Sequence, residues 1–324
     1  MFFRKLAVAL ALTLAVAAEP PKNSLPDPLS YVDPSCVSFG VMHARADDQA
    51  IHRTMQMLWT ELEKRHLNSD GWVGILANFL STGQRQQLLL GFLPFQGIRL
   101  DYLDSQGGAH SATVVTVAGW KGLQGIFWNR LLLDPQGKPW PTQRVGGADV
   151  VSSRDGKMAR RDGTFYKFTD TMMAQRCLLQ SRHAVPALYN SLDRSHDTYG
   201  VLYNRQLSLR RFLTWMNMDD VAAVEKAMGV DKFKRAMEAV EYLTWQGEVL
   251  DDDRLDLEMR IHVVRLQDND LVSELLTVAR RVLKERGRPA DIKTRIVGSD
   301  LRLDMVIGGN RQFFLDYLTK DKPV

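Results

Sequence analysis

Seven histidines are scattered through the chain, at positions 43, 52, 66, 110, 183, 196 and 262, and none stands three or four residues from another. That spacing does not build the paired imidazoles of a helical zinc motif. His43 is the first candidate base, because alternation puts it on the same side of a predicted strand as Phe39 and Val41. No nucleophile accompanies it in the sequence, and the commoner role for such a residue is a hydrogen-bonded interior or edge position. His110 is a weaker candidate, for a hydrolase that places it near a cleft. Asp251, Asp252 and Asp253 form the densest acidic cluster. Three carboxylates suit a hard cation such as calcium, but adjacent residues on a tight turn point in different directions, and a solvated hairpin asks only for polar residues.

Two further residue sets invite a chemical reading. Cys36 and Cys177 are the only cysteines; an oxidising compartment would allow them to pair, and the alternative there is two separate buried thiols. Neither has a motif that marks a catalytic thiolate. Trp120 and Trp128 belong to a set of seven tryptophans; they either fill a core or line a groove for a partner or an apolar ligand. Familiar signatures are missing. The chain contains no G-x-S-x-G elbow, H-E-x-x-H pair, P-loop, twelve-residue calcium loop or paired C-x-x-C. We therefore expect no resident metal or cofactor.

Positioning such residues requires a sizeable core, and 324 residues with 45% hydrophobic and 25% charged content supply one. The composition excludes collagen, a disordered tail, a disulfide-dense miniprotein and a polytopic membrane protein. Residues 1–18 read as a secretory signal: Arg4 and Lys5 precede an apolar run from Leu6 to Ala17, followed by small residues. Twelve helical residues span about 18 Å, too short for a bilayer of about 30 Å, so a stable transmembrane anchor is not expected. Removing this segment takes away two basic residues and no acid, leaving a net charge of +2. That balance gives no footprint for nucleic acid. Residues 19–35, rich in proline, read as an extended leader.

An internal likeness organises the rest. Phe39-Gly-Val-Met-His-Ala-Arg45 matches Tyr199-Gly-Val-Leu-Tyr-Asn-Arg205 at an offset of 160 residues, with Gly, Val and Arg in common. After the second copy come helical stretches broken at Gly229, then strands Tyr242–Leu250 and Arg254–Leu266. A helix from about Asp270 to Arg286 and a hairpin turning at Gly298-Ser-Asp300 follow, then a helix from Gln312 to Thr319. The clearest alternation is Leu255, Leu257, Met259, Ile261 and Val263 against Arg254, Asp256, Glu258, Arg260 and His262. Period two predicts one buried and one wet face, hence an antiparallel sheet; His262 then sits in a surface charge ladder. The first copy admits the same order: strand Val37–Ala44, helix Asp48–His66, strands Gln86–Leu93 and Ala112–Trp120, and helix Leu123–Leu132. A hairpin of Arg144–Ser153 and Thr164–Thr169 across 155–163 and helix Met172–Leu179 complete it. The expected fold is α+β with two pseudo-repeated halves, 36–190 and 191–324, each running strand-helix-strand-strand-helix-strand-strand-helix with mainly antiparallel sheets.

With its FGVMHAR and YGVLYNR segments, its DDDRLDLEMRI strand and its closing LRLDMVIGGNRQFFLDYL unit, the chain resembles functionally uncharacterised secreted bacterial proteins that carry duplicated α+β halves. The resemblance covers about residues 36 to 320 and implies fold and export. It carries over no activity and no catalytic residue. The sequence thus predicts an exported, periplasmic or secreted, non-catalytic binding, scaffold or envelope-associated module whose partner is a protein or an apolar ligand. The alternatives are an exported hydrolase using His43, His110 or the Asp251–Asp253 turn, and a carrier of an apolar ligand.

Overall fold

A computed structural model describes residues 25–45, 49–50, 52–53, 57, 94–104, 106, 108–117, 132–134, 136–153, 156–161, 163–179, 185–205, 208–210, 218–250, 254–285 and 290–308. Its strands are β1 (Cys36–Ala44), β2 (Phe95–Leu103), β3 (Ala109–Val117), β4 (Thr142–Val145), β5 (Ala148–Ser153), β6 (Gly156–Arg161), β7 (Thr164–Phe168), β8 (Thr198–Tyr203), β9 (Val240–Val249), β10 (Arg254–Val263), β11 (Ala290–Val297) and β12 (Asp300–Gly308). The helices are α1 (Thr171–Leu179), α2 (Ala187–Asn190), α3 (Met218–Met228), α4 (Val230–Ala239) and α5 (Asn269–Glu285), with a 3-10 turn at Pro28–Tyr31.

All twelve strands join one sheet in the order β11-β12-β10-β9-β8-β1-β2-β3-β7-β6-β5-β4. This overturns the expected pair of repeated α+β halves: the described residues form mostly antiparallel sheet with few helices. Two local features explain the difference. The hairpin expected from Arg144 to Thr169 is four strands, because Gly146 and Gly147, both at positive φ, turn the chain between β4 and β5. Gly156 at φ 124 opens β6, which inserts between β5 and β7. The second feature is that the matching segments do not head separate units. β1 and β8 are the sheet's central neighbours, antiparallel with Gly40 opposite Gly200 and Phe39 opposite Val201. The expected strand Gln86–Leu93, residues 123–131 of the expected helix 123–132 and the helix 312–319 lie outside the described residues, as do the signal segment and residues 19–24 of the leader.

Alternation along each strand divides the apolar residues between two faces, and the two cores lie on opposite ones. The first gathers Phe39, Val41, Ile98, Leu100, Val114, Tyr166, Phe168, Tyr199 and Val201 with Met173 and Cys177 of α1. Leu29, Tyr31 and Val32, read from sequence as the end of an extended leader, also belong to it. Asp27 caps their turn by accepting from the Leu29 amide at 3.1 Å. The second core gathers Leu243, Leu257, Ile261, Leu301, Leu303 and Met305 with Phe233 and Met237 of α4 and Val272, Leu275 and Val282 of α5. Each fully buried Phe or Leu contributes about 1.5–3 kcal/mol of transfer free energy.

β8 is the strand at which the core changes sides. Val201 and Tyr199 point to the first core, while Leu202 points to the second, opposite Leu243. Four consecutive residues, Tyr199 to Leu202, are consequently buried. At the crossing, Gly200 lies directly opposite Trp245 of β9. A β carbon on Gly200 would stand 2.5 Å from the Phe39 carbonyl oxygen and closer still to the indole, so the ring occupies the space that a side chain would need.

Candidate functional site

The face of β9 to β12 turned away from the second core is polar and partly exposed. Its register brings together carboxylates and imidazoles that are far apart in sequence. Where β1, β8 and β9 meet, the His43 amide donates to the Asp197 carbonyl at 2.8 Å, extending the β1–β8 ladder by one residue. The Asp197 side chain is 1% exposed; its Oδ2 accepts from the Val249 amide at 3.0 Å, and its Oδ1 lies 3.5 Å from Arg45 Nη2. His196 places Nδ1 2.8 Å from Glu248 Oε1 and Nε2 3.6 Å from Asp193 Oδ2.

Electrostatics follow from this crowding. Burial, together with the charge and hydrogen bonding of Asp197, pushes the Glu248 carboxyl above its usual value. Amide and hydroxyl donation from Ser195 holds Asp193 low, with distances of 3.0 and 2.7 Å. Burial lowers His43, against the opposing pull of Asp197. The His43 ring meets Tyr199 edge-on at 6.1 Å. It is therefore a half-buried imidazole biased to the neutral form.

His110 has a different setting. Its Nδ1 is 2.6 Å from Asp170 Oδ2 and its Nε2 3.2 Å from Asp104 Oδ2. Asp170 also accepts from the Met173 amide at the start of α1, and Asp104 accepts from the amides of Gln106 and Gly108. Hydrogen bonds donated to both carboxylates raise the His110 pKa, so the ring ties the β2–β3 turn to α1. With both nitrogens engaged, it is badly placed to take a proton from a substrate.

His262 repeats the pattern on the polar face. Asp300 is its direct partner across β10 and β12, with Nδ1 to Oδ1 at 2.6 Å. Glu241 lies 3.6 Å from Nε2, and Tyr242 stacks on the ring at 4.7 Å and 10°. Arg260 Nε holds the other Asp300 oxygen at 2.7 Å, and these partners depress the Asp300 carboxyl against the effect of its burial.

The sequence candidates thus separate. His43 meets Asp197, which in turn neighbours Glu248; His110 is bracketed by acids elsewhere. Asp251, Asp252, Asp253, Trp120 and Trp128 lie outside the described residues. Cys36 and Cys177 are both buried and unbridged. Burial pushes each thiol up to about 12, the reverse of what a thiolate nucleophile needs. Cys36 Sγ donates to the Ser38 carbonyl at 3.0 Å, and Tyr189 donates to the Cys36 carbonyl at 3.0 Å. Sequence reading missed Asp193, His196, Asp197 and Glu248, which have no motif spacing. Asp300 carried a signal: a hairpin turn ending beside the alternating β10 puts it level with His262.

Among the described residues, no group of three or more His, Cys, Asp or Glu is arranged to hold a metal ion. Among them too, no helix is long and apolar enough to cross a membrane. In comparisons with family models, with curated proteins and with solved structures, nothing matches this chain.

Proposed function

We propose that this protein is an exported, non-catalytic binding or scaffold module that presents the polar face of β9–β12 to its ligand. One observation carries the reading: His110, His196 and His262 each lie between two carboxylates. None of these rings, nor His43, hydrogen-bonds a hydroxyl or thiol among the described residues. An acyl- or phosphoryl-transfer centre needs a base in reach of a nucleophile; here imidazoles join strands and turns to one another instead. Support for export comes from the Arg4-Lys5 start, the apolar run and the small residues that follow.

Two measurements test this. Residues 1–35 fused to a reporter active only outside the cytoplasm give activity that Leu10→Arg in the apolar run abolishes; a silent fusion rejects export. The purified chain, offered ester, amide, phosphate-ester and glycoside substrates, shows no turnover. Turnover lost on His43→Ala or Glu248→Gln rejects the non-catalytic reading. The raised Glu248 carboxyl beside Asp197 and His196 favours an exported hydrolase as the second reading, since a carboxyl shifted upward by its neighbours is the kind of group that serves as a general acid.

A further inference from the structure

Directly opposite residues of neighbouring strands share a face, so the polar side of β10, β12 and β11 carries its charges in rows. One row holds His262 and Asp300, the next Arg260, Arg302 and Arg295, and the third Glu258, Asp304 and Lys293. The middle row sets three guanidinium groups on adjacent strands, where β carbons are about 4.5–5.5 Å apart and like charges oppose folding. Arg260 is paired with Asp300, whose second oxygen is taken by His262. Glu258 accepts from Gln246 Nε2 at 3.1 Å. Among the described residues, neither Arg302 nor Arg295 has a carboxylate within ion-pair distance. Arg302 Nε is shielded from solvent and has no hydrogen-bond acceptor there, whereas Arg295 is exposed.

We propose that Arg302 and Arg295, with Arg260 beside them, form a binding site for the phosphate group of a small soluble molecule. The site rests on the reading of this face as a ligand surface. An anion laid across the outer guanidinium nitrogens of Arg302 and Arg295 offsets the repulsion between two like charges that no carboxylate among the described residues neutralises. One arginine fork satisfies a two-oxygen carboxylate; a phosphate has three terminal oxygens and a larger charge, enough to engage neighbouring guanidinium groups together. The flanking rows decide the source. Glu258 and Asp304 on the neighbouring row repel a continuous anionic membrane surface, and the exposed Asp304 is placed to accept hydrogen bonds from hydroxyl groups of a small phosphorylated polyol.

Titration calorimetry of the full chain with inorganic phosphate and with glycerol 3-phosphate tests the site. Saturable binding is expected, weakened at least tenfold by Arg302→Gln and severalfold by Arg295→Gln. Arg302→Lys, which keeps the charge and loses the fork, should also weaken it, while Arg144→Gln on β4 leaves it unchanged. Sedimentation with phosphatidylglycerol vesicles should match that with phosphatidylcholine. The proposal is overturned by absent phosphate binding, by full binding in an Arg302→Gln protein with a native melt, or by binding to phosphatidylglycerol vesicles alone. Should Arg302→Gln fail to fold, the exposed Arg295→Gln decides. Release of phosphate from glycerol 3-phosphate would reject the non-catalytic reading and leave this site standing, whereas absent binding without turnover removes the site alone.

Discussion

The first core lies beneath β1, β2, β3 and β7, and the second lies on the opposite side of the same sheet beneath β9, β10 and β12. The first is rich in aromatic rings: Phe39 meets Tyr189 edge-on at 5.7 Å, and Tyr166 stacks on Phe168 at 5.8 Å. The second is mainly aliphatic, closed by α4 and α5. A sheet whose cover changes sides needs a seam that is apolar on both faces and thin enough for a ring to cross. β8 and the Gly40–Gly200 pair under Trp245 meet that need. The polar face of β9–β12 is left open because its helices pack on the other side.

The most disruptive test of this contrast empties each core in turn. Phe168→Ala and Leu303→Ala, both at sites 1% exposed, should each cost about 3–4 kcal/mol. If the continuous sheet couples the cores, either variant shifts one denaturation midpoint; two separated transitions would show that the cores unfold independently. Gly200→Ala should cost about 3 kcal/mol, because the added carbon meets both the indole and the Phe39 carbonyl oxygen. Gly40→Ala, whose β carbon would stand 3.1 Å from Trp245 Cζ2, should cost about 1 kcal/mol. Full rescue of Gly200→Ala by Trp245→Ala would place the constraint on the ring and not on the backbone.

Smaller effects sharpen the comparison. Tyr189→Phe removes the donor to the buried Cys36 carbonyl and should cost about 1–2 kcal/mol, measured by urea titration; among the described residues the second core has no such phenol to lose. The smallest effect is electrostatic. His110 has a raised folded pKa, so its contribution is complete below the ordinary value of 6.5 and disappears as pH rises through the folded value. Asp104 and Asp170 are lowered, so theirs holds above 3.8 and disappears as pH falls through their folded values. The clasp is therefore strongest between about 4 and 6.5. His110→Gln should lower stability more at pH 6 than at pH 9, by a small amount because the ring is accessible to solvent. An equal loss at both pH values would assign the effect to packing.

How much of this was readable without the fold differs between the regions. The alternation from Leu255 to Val263 and the turn at Gly298 correspond to β10, β12 and β11, since period two and turn chemistry are local. The apolar spacing from Leu271 to Leu283 likewise corresponds to α5. In the first region, β4 to β7 were read as one hairpin: a four-residue strand such as Thr142–Val145 is too short to show a period. The likeness of the FGVMHAR and YGVLYNR segments was visible, but not that they would lie side by side.

The candidate site followed the same division. His43 and His110 stood out by residue type, yet their partners Asp197, Asp104 and Asp170 became partners only through pairing across strands and turns. Residue order alone determined the alternating strands, the turns, the amphipathic α5 and the apolar run near the start, because each depends on neighbours within a few positions. Tertiary structure alone decided which face each strand buries, where the core changes sides, and which acids meet which imidazoles. Those outcomes depend on register between residues as far apart as Ser38 and Leu202, and a shift of one residue would turn every side chain to the other face.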